Sequence, residues 1–155
     1  MTGNEPGTYL LVMWLNRECD VQVGRLGSFR LAPGWYLYVG SALGPGGLRA
    51  RIARHARAEK HRHWHIDYLL AEARLHEAWT RAGPVRRECE WARALASLPG
   101  MHTPIRGFGA SDCRCEAHLF AAPERPTSEA LARVLGARLE SLAMEPGDTQ
   151  RTTPS

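Results

Sequence analysis

Residues 35–55 read WYLYVGSALGPGGLRARIARH, and the reading of this stretch decides the fold. Its first residues alternate, with Tyr36 and Tyr38 on one side and Trp35, Leu37 and Val39 on the other, which is the period of a strand. Gly44-Pro45-Gly46-Gly47 then breaks the chain. From Leu48 to Glu59 the strong helix formers Leu, Arg and Ala take over. In that helix Arg51 and His55 stand four residues apart, so a guanidinium and an imidazole share one face.

Towards the N-terminus, Tyr9 to Leu15 (YLLVMWL) is a continuous apolar run of strand length, suited to a central strand covered on both faces. Between the two strands, Asp20 to Leu31 holds two short alternating pieces around Gly24 and Gly27, the pattern of an extra hairpin. Towards the C-terminus, Ile66 to Ala73 reads as a second helix and Leu75 to Thr80 as an edge strand. Pro84 precedes a third helix over Arg87 to Leu98, whose Trp91, Leu95 and Leu98 share a face. Gly107 to Gly109 is a loop, and Cys115 to Ala122 the expected final strand. Ser128 would cap a last helix striped by Leu131, Val134, Leu135, Leu139 and Leu142. Strand-rich first and helix-rich later, around one small sheet, is an α+β pattern.

With 155 residues and no shift in composition, one domain is expected over residues 7–143, with disordered tails at 1–6 and 145–155. No apolar run approaches the roughly 20 residues that span a bilayer, and Met1 to Gly7 has no signal-peptide pattern, so a cytoplasmic protein is expected. Lys and Arg number 20 against 16 acids, for a net charge of +4. The cations are unevenly spread: Arg49, Arg51, Arg54, Arg57, Lys60 and Arg62 crowd together, with His55, His61, His63 and His65 among or beside them. Such a run is either a solvated helix face or an electrostatic footprint for phosphates; the preference for Arg, whose fork matches phosphate oxygens, favours nucleic acid.

In order along the chain stand Gly7-Thr8-Tyr9, Tyr38-Val39-Gly40, the helix block LRARIARH (48–55), WHIDYLL (64–70), RECEWARAL (87–95) and FGASDCRCEAHLF (108–120). This set resembles the GIY-YIG nuclease superfamily, in particular its DUF123 branch of Uri-type predicted endonucleases, over about residues 7–122. The resemblance implies a three-stranded antiparallel sheet flanked by helices, and phosphodiester hydrolysis dependent on one Mg²⁺ or Mn²⁺. It implies catalytic roles for Tyr9, Tyr38, Arg51, His55 and Glu88, with Glu88 the metal ligand and DNA the expected partner. Arg49, Arg54, Arg57, Lys60 and Arg62 are the expected nucleic-acid contacts. Either Tyr9 or Tyr38 is the base, and the phenol needs nearby cations to ionise below its free pKa of about 10. The sequence departs from the family twice. The interval from Tyr9 to Tyr38 is long, as an extra hairpin requires, and no Asn follows the Glu88 helix, a place that Ser111 or Asp112 would have to fill.

Four other readings compete. Tyr9 and Tyr38 are also ordinary sheet aromatics, and Glu90 competes with Glu88, although on a helix the two point about 200° apart. A scaffold that binds nucleic acid without cutting it is the alternative to an enzyme. Finally, Cys89, Cys113, Cys115 and His118 invite a structural Zn²⁺ site. In a strand His118 would point away from Cys113 and Cys115, so small buried thiols are the preferred reading.

Overall fold

Alternation along the first strand places Tyr9, Leu11 and Met13 on one face and Leu10 and Val12 on the other, all of them buried. A strand buried on both faces must lie inside a sheet. In the computed structural model, residues 4–57, 61–110, 113–136 and 138–140 are described. They form β1 (Gly7–Leu15), β2 (Cys19–Val23), β3 (Gly27–Leu31), β4 (Gly34–Ala42), α1 (Gly47–Ala56) and α2 (His65–Leu70). There follow β5 (Arg74–Ala82), α3 (Glu88–Ala96), β6 (Leu119–Ala122), α4 (Ser128–Leu135) and β7 (Arg138–Glu140). The main sheet is antiparallel, in the order β6-β4-β1-β5-β7, and the inserted hairpin β2–β3 is a separate two-stranded sheet.

Each face of the sheet carries its own core. On one side Tyr9, Leu11, Met13, Tyr36 and Tyr38 pack against Leu48 and Ile52 of α1, Ile66 and Leu69 of α2, and the hairpin's Val21, Val23 and Leu31. On the other, Leu10, Val12, Leu37 and Val39 pack against Trp91 and Leu95 of α3 and Leu131 and Leu135 of α4. Burial of one such side chain contributes roughly 1.5–3 kcal/mol, so these two layers hold the sheet strands in register. Among the described residues no helix is long and apolar enough to cross a membrane.

The α+β class, the central antiparallel sheet and the extra hairpin agree with expectation; several details do not. Among the described residues the sheet has five strands where the resemblance implies three, and β5 is not an edge but lies between β1 and β7. The last helix stops at Leu135, because Gly136 takes the left-handed conformation (φ 61°) that ends helices. Leu139 then belongs to β7, beside Trp79, rather than to a helical stripe. Thr127, not Ser128, caps that helix, its hydroxyl accepting from the Ala130 amide at 3.0 Å. The carbonyls of Glu5 and Pro6 accept from the amides of Leu48 and Gly83, so part of the expected N-terminal tail is tied to the body. Leu142 and the tail at 145–155 lie outside the described residues.

The strand expected over Cys115–Ala122 begins only at Leu119. Residues 113–118 form an irregular loop instead, pinned by Gly107 N to Glu116 O (2.7 Å), His118 N to Phe108 O (2.8 Å) and Val39 N to His118 O (3.0 Å). These bonds draw the loop back over residues 107–109 and remove the two-residue alternation of a strand.

Candidate functional site

Tyr9 and Tyr38 project from neighbouring strands to the same face, and their ring centroids are 6.4 Å apart. The residue directly opposite Tyr9 is Gly40, and a Cβ there would come 2.5 Å from the Tyr9 hydroxyl. Any larger residue at Gly40 would displace that hydroxyl, so the glycine of Tyr38-Val39-Gly40 makes the space in which the phenol lies.

The helix above supplies an imidazole and a guanidinium. His55 is buried and its Nε2 lies 2.8 Å from the Tyr9 hydroxyl. One turn earlier, Arg51 donates from Nη1 to the Ser41 carbonyl at 2.6 Å, and its guanidinium lies 4.4 Å from the centre of the Trp64 ring. Arg54 stacks on the same indole at 4.3 Å, so Trp64 fixes the position of both arginines. Trp64 thereby orients Arg51 above the sheet.

Glu88 begins α3, which packs on the sheet face opposite the phenols. It nevertheless reaches the sheet's end, where the Arg87 amide donates to Thr8 Oγ1 at 3.3 Å. Its charge is close enough to both phenols to oppose their ionisation. The Glu88 carboxylate accepts from Arg86 at 3.0 Å and lines a cavity of about 160 Å³ with Arg86, Cys89, Gly109, Cys113 and His118. Glu90 is exposed. Tyr9, Tyr38, Arg51 and His55 therefore form one cluster, with Glu88 at its rim.

Both phenols are more deeply buried than a solvent-facing base would be, at 1% exposure for Tyr9 and 8% for Tyr38. Burial pushes the Tyr9 phenol up to about 12, against the pull of the Arg51 guanidinium. Burial, and then the charges of Tyr9 and Glu88, push Tyr38 well above an ordinary phenol, with Arg51 again opposing. The cation expected to lower these pKa values does pull in that direction, but desolvation outweighs it. A folded pKa above the unfolded value means that this contribution to stability is intact below about pH 10 and is lost as pH rises towards 12. For Tyr9 alone the loss should be roughly 2–3 kcal/mol. Urea midpoints compared at about pH 9 and about pH 11 check this, and equal midpoints would contradict a buried, protonated phenol.

The expected nucleic-acid contacts separate. Arg49, Arg57 and Arg62 are exposed, and Lys60 lies outside the described residues, as do Ser111 and Asp112. Arg54 is turned inwards: Nη1 and Nη2 donate to the two Asp67 oxygens at 2.8 and 2.9 Å, and Nη2 also donates to the His61 carbonyl. Its guanidinium is engaged in structure, thirteen residues from its partner, a pairing with no local signal in the sequence.

The irregular loop at 113–118 overturns the argument against the Cys and His group. Cys89, Cys113, Cys115 and His118 each bring one donor atom to a common point, all within 4.8 Å of one another, and the four together could hold a metal ion. Their donors are soft, unlike the oxygen set that suits Mg²⁺.

In comparison with known proteins, a family model described as "Domain of unknown function DUF123" matches residues 8–140. No curated protein and no solved structure matches.

Proposed function

We propose, from the premise that this chain belongs to the DUF123 family, that it is a metal-dependent endonuclease hydrolysing phosphodiester bonds in nucleic acid, with DNA as its substrate. The observation that carries this reading is the 2.8 Å contact between the Tyr9 hydroxyl and His55 Nε2, beside Arg51 on the same helix face. A phenol beside an imidazole can give up its own proton and, as the phenolate, take that of an attacking water, which a lone phenol of ordinary pKa does poorly. Tyr9 is the better choice of base, because its hydroxyl has this imidazole beside it. Arg51, once released from the Ser41 carbonyl, would clamp the phosphoryl oxygens. The exposed Arg49, Arg57 and Arg62 would bind backbone phosphates and make affinity fall with salt.

Glu88 would be the ligand of the one hard divalent ion that this reading needs. It offers a single carboxylate at a cavity of about 160 Å³, space for several waters at roughly 30 Å³ each, which Mg²⁺ retains. When bound, the ion would neutralise charge developing on the phosphate. Arg86 would then have to yield its contact with Glu88.

The deep burial of both phenols favours a second reading, a module that binds nucleic acid without cutting it. A nicking assay with Mg²⁺ or Mn²⁺ separates the two. The wild type should cleave, and Glu88→Ala and Arg51→Ala should each lose about 10²- to 10³-fold. Salt-dependent binding without cleavage would select the binding module. Cleavage undiminished in Glu88→Ala would remove Glu88 as the metal ligand.

A further inference from the structure

We propose that Cys89, Cys113, Cys115 and His118 form a structural zinc site that fastens the first turn of α3 to the loop preceding β6. The inference rests on the four donors alone and is independent of the nuclease reading.

The geometry is close to what zinc requires. With Zn–S near 2.3 Å and Zn–N near 2.0–2.1 Å, tetrahedral donors stand about 3.5–3.8 Å apart. Here Cys113 Sγ lies 3.4 Å and Cys89 Sγ 3.9 Å from His118 Nε2, and all four donors lie within 4.8 Å of one another. One ring nitrogen thus faces two sulfurs from different segments of the chain. Shifts of about 0.1 to 1 Å in these distances would close the tetrahedron.

Ordinary buried thiols would pack as small hydrophobes, and one cysteine of this chain does: Cys19 lies against the apolar core on the phenol face. Cys89, Cys113 and Cys115 belong to neither core. They stand between two cavities, the one of about 160 Å³ beside Glu88 and another of about 420 Å³ on the far side of Cys89 and Cys115. A disulfide would use two of the sulfurs and leave the third, with the imidazole, unexplained. Four convergent donors are what a metal uses.

The donor set chooses the ion. Three thiolates and an imidazole are soft, which selects zinc over magnesium, and four protein ligands leave no open position for water or substrate. The site is therefore structural. It also compensates for a local deficit: residues 113–118 have no regular structure, and α3 has no side-chain cap at its start. Because Cys89 follows Glu88, the ion would hold that carboxylate at the mouth of its cavity.

The test uses the full chain, purified under reducing conditions without chelator. Elemental analysis should find about one zinc per chain, falling below roughly a tenth in Cys113→Ser and Cys115→Ser and unchanged in Cys19→Ser. Should either serine variant fail to fold, cobalt(II) titration of metal-stripped wild type decides. It should give thiolate-to-cobalt charge transfer and the intense visible bands of tetrahedral coordination, saturating at one equivalent. The proposal is overturned by wild type that holds no zinc and shows no saturable cobalt spectrum. An intact mass revealing a disulfide among these cysteines, or zinc lost equally in Cys19→Ser, would also overturn it. None of these readouts depends on cleavage of nucleic acid.

Discussion

Tyr9→Phe is expected to leave the fold in place and to slow nicking by about 10²- to 10⁴-fold, the usual contribution of a positioned general base. The substitution keeps the ring that lies over Gly40 and packs beside Tyr38, and deletes only the oxygen that contacts His55. Loss of that hydrogen bond inside a buried cluster should cost about 1–3 kcal/mol, small enough for the chain to remain folded. The pH dependence sharpens the test. With the phenol pushed up to about 12, its ionised fraction rises about tenfold per pH unit across the neutral and mildly alkaline range. The wild-type rate should rise with it, and Tyr9→Phe should lose that slope. A bound cation would shift the range downwards without changing its sign. If Tyr9→Phe cleaves like the wild type while Tyr38→Phe does not, the base is Tyr38; if neither variant slows, the phenols serve packing alone.

What could be read in advance was whatever repeats locally. The alternation in residues 35–40, the apolar run from Tyr9 to Leu15 and the i,i+4 pair Arg51/His55 each have a period that one element imposes, and the structure has those elements. The convergence of Tyr9 with His55 needed more: antiparallel β1 and β4 in the register Tyr9 to Gly40, with α1 laid across them. Blocks of sequence in a familiar order carried that information; spacing alone did not. The features missed are tertiary. Cys113, Cys115 and His118 meet Cys89 because backbone bonds from Gly107, Phe108 and Val39 fold their segment into a loop, whereas a strand pattern would have separated them. Gly136 is different, since its stop signal was present in the sequence but the leucine spacing beyond it suggested a continuing helix. Arg54 was grouped with the phosphate contacts because its neighbours are cationic, while its partner Asp67 lies on the next helix.

That partner gives the largest expected effect on stability. Asp67→Ala should destabilise the chain by about 3–5 kcal/mol, the range for removing one member of a buried ion pair. Asp67 is 1% exposed, and its carboxylate accepts from Arg54 Nη1 and Nη2 and from the amides of His63 and Trp64, all between 2.8 and 2.9 Å. Alanine would leave a largely buried guanidinium without its counter-charge and two amides without this acceptor at the start of α2. Trp64, stacked between Arg54 and Arg51, would loosen with them, so the damage should reach the cluster of Tyr9, Tyr38 and His55 through Arg51. Burial works to raise the Asp67 pKa, but the Arg54 hydrogen bonds and the Trp64 and His63 amides outweigh it and hold the carboxyl below its ordinary value. A depressed folded pKa gives stability that is present above the unfolded value of about 4 and is lost as pH falls through the folded one. Urea unfolding of the wild type should therefore weaken progressively below about pH 4, and Asp67→Ala should lack that component. Asp67→Asn separates charge from geometry: its oxygen can still accept from the amides while the ion pair is gone, so its loss should fall between wild type and alanine. If both variants unfold at the wild-type midpoint, the pair is not structural, and Arg54 returns to the surface as a candidate phosphate contact.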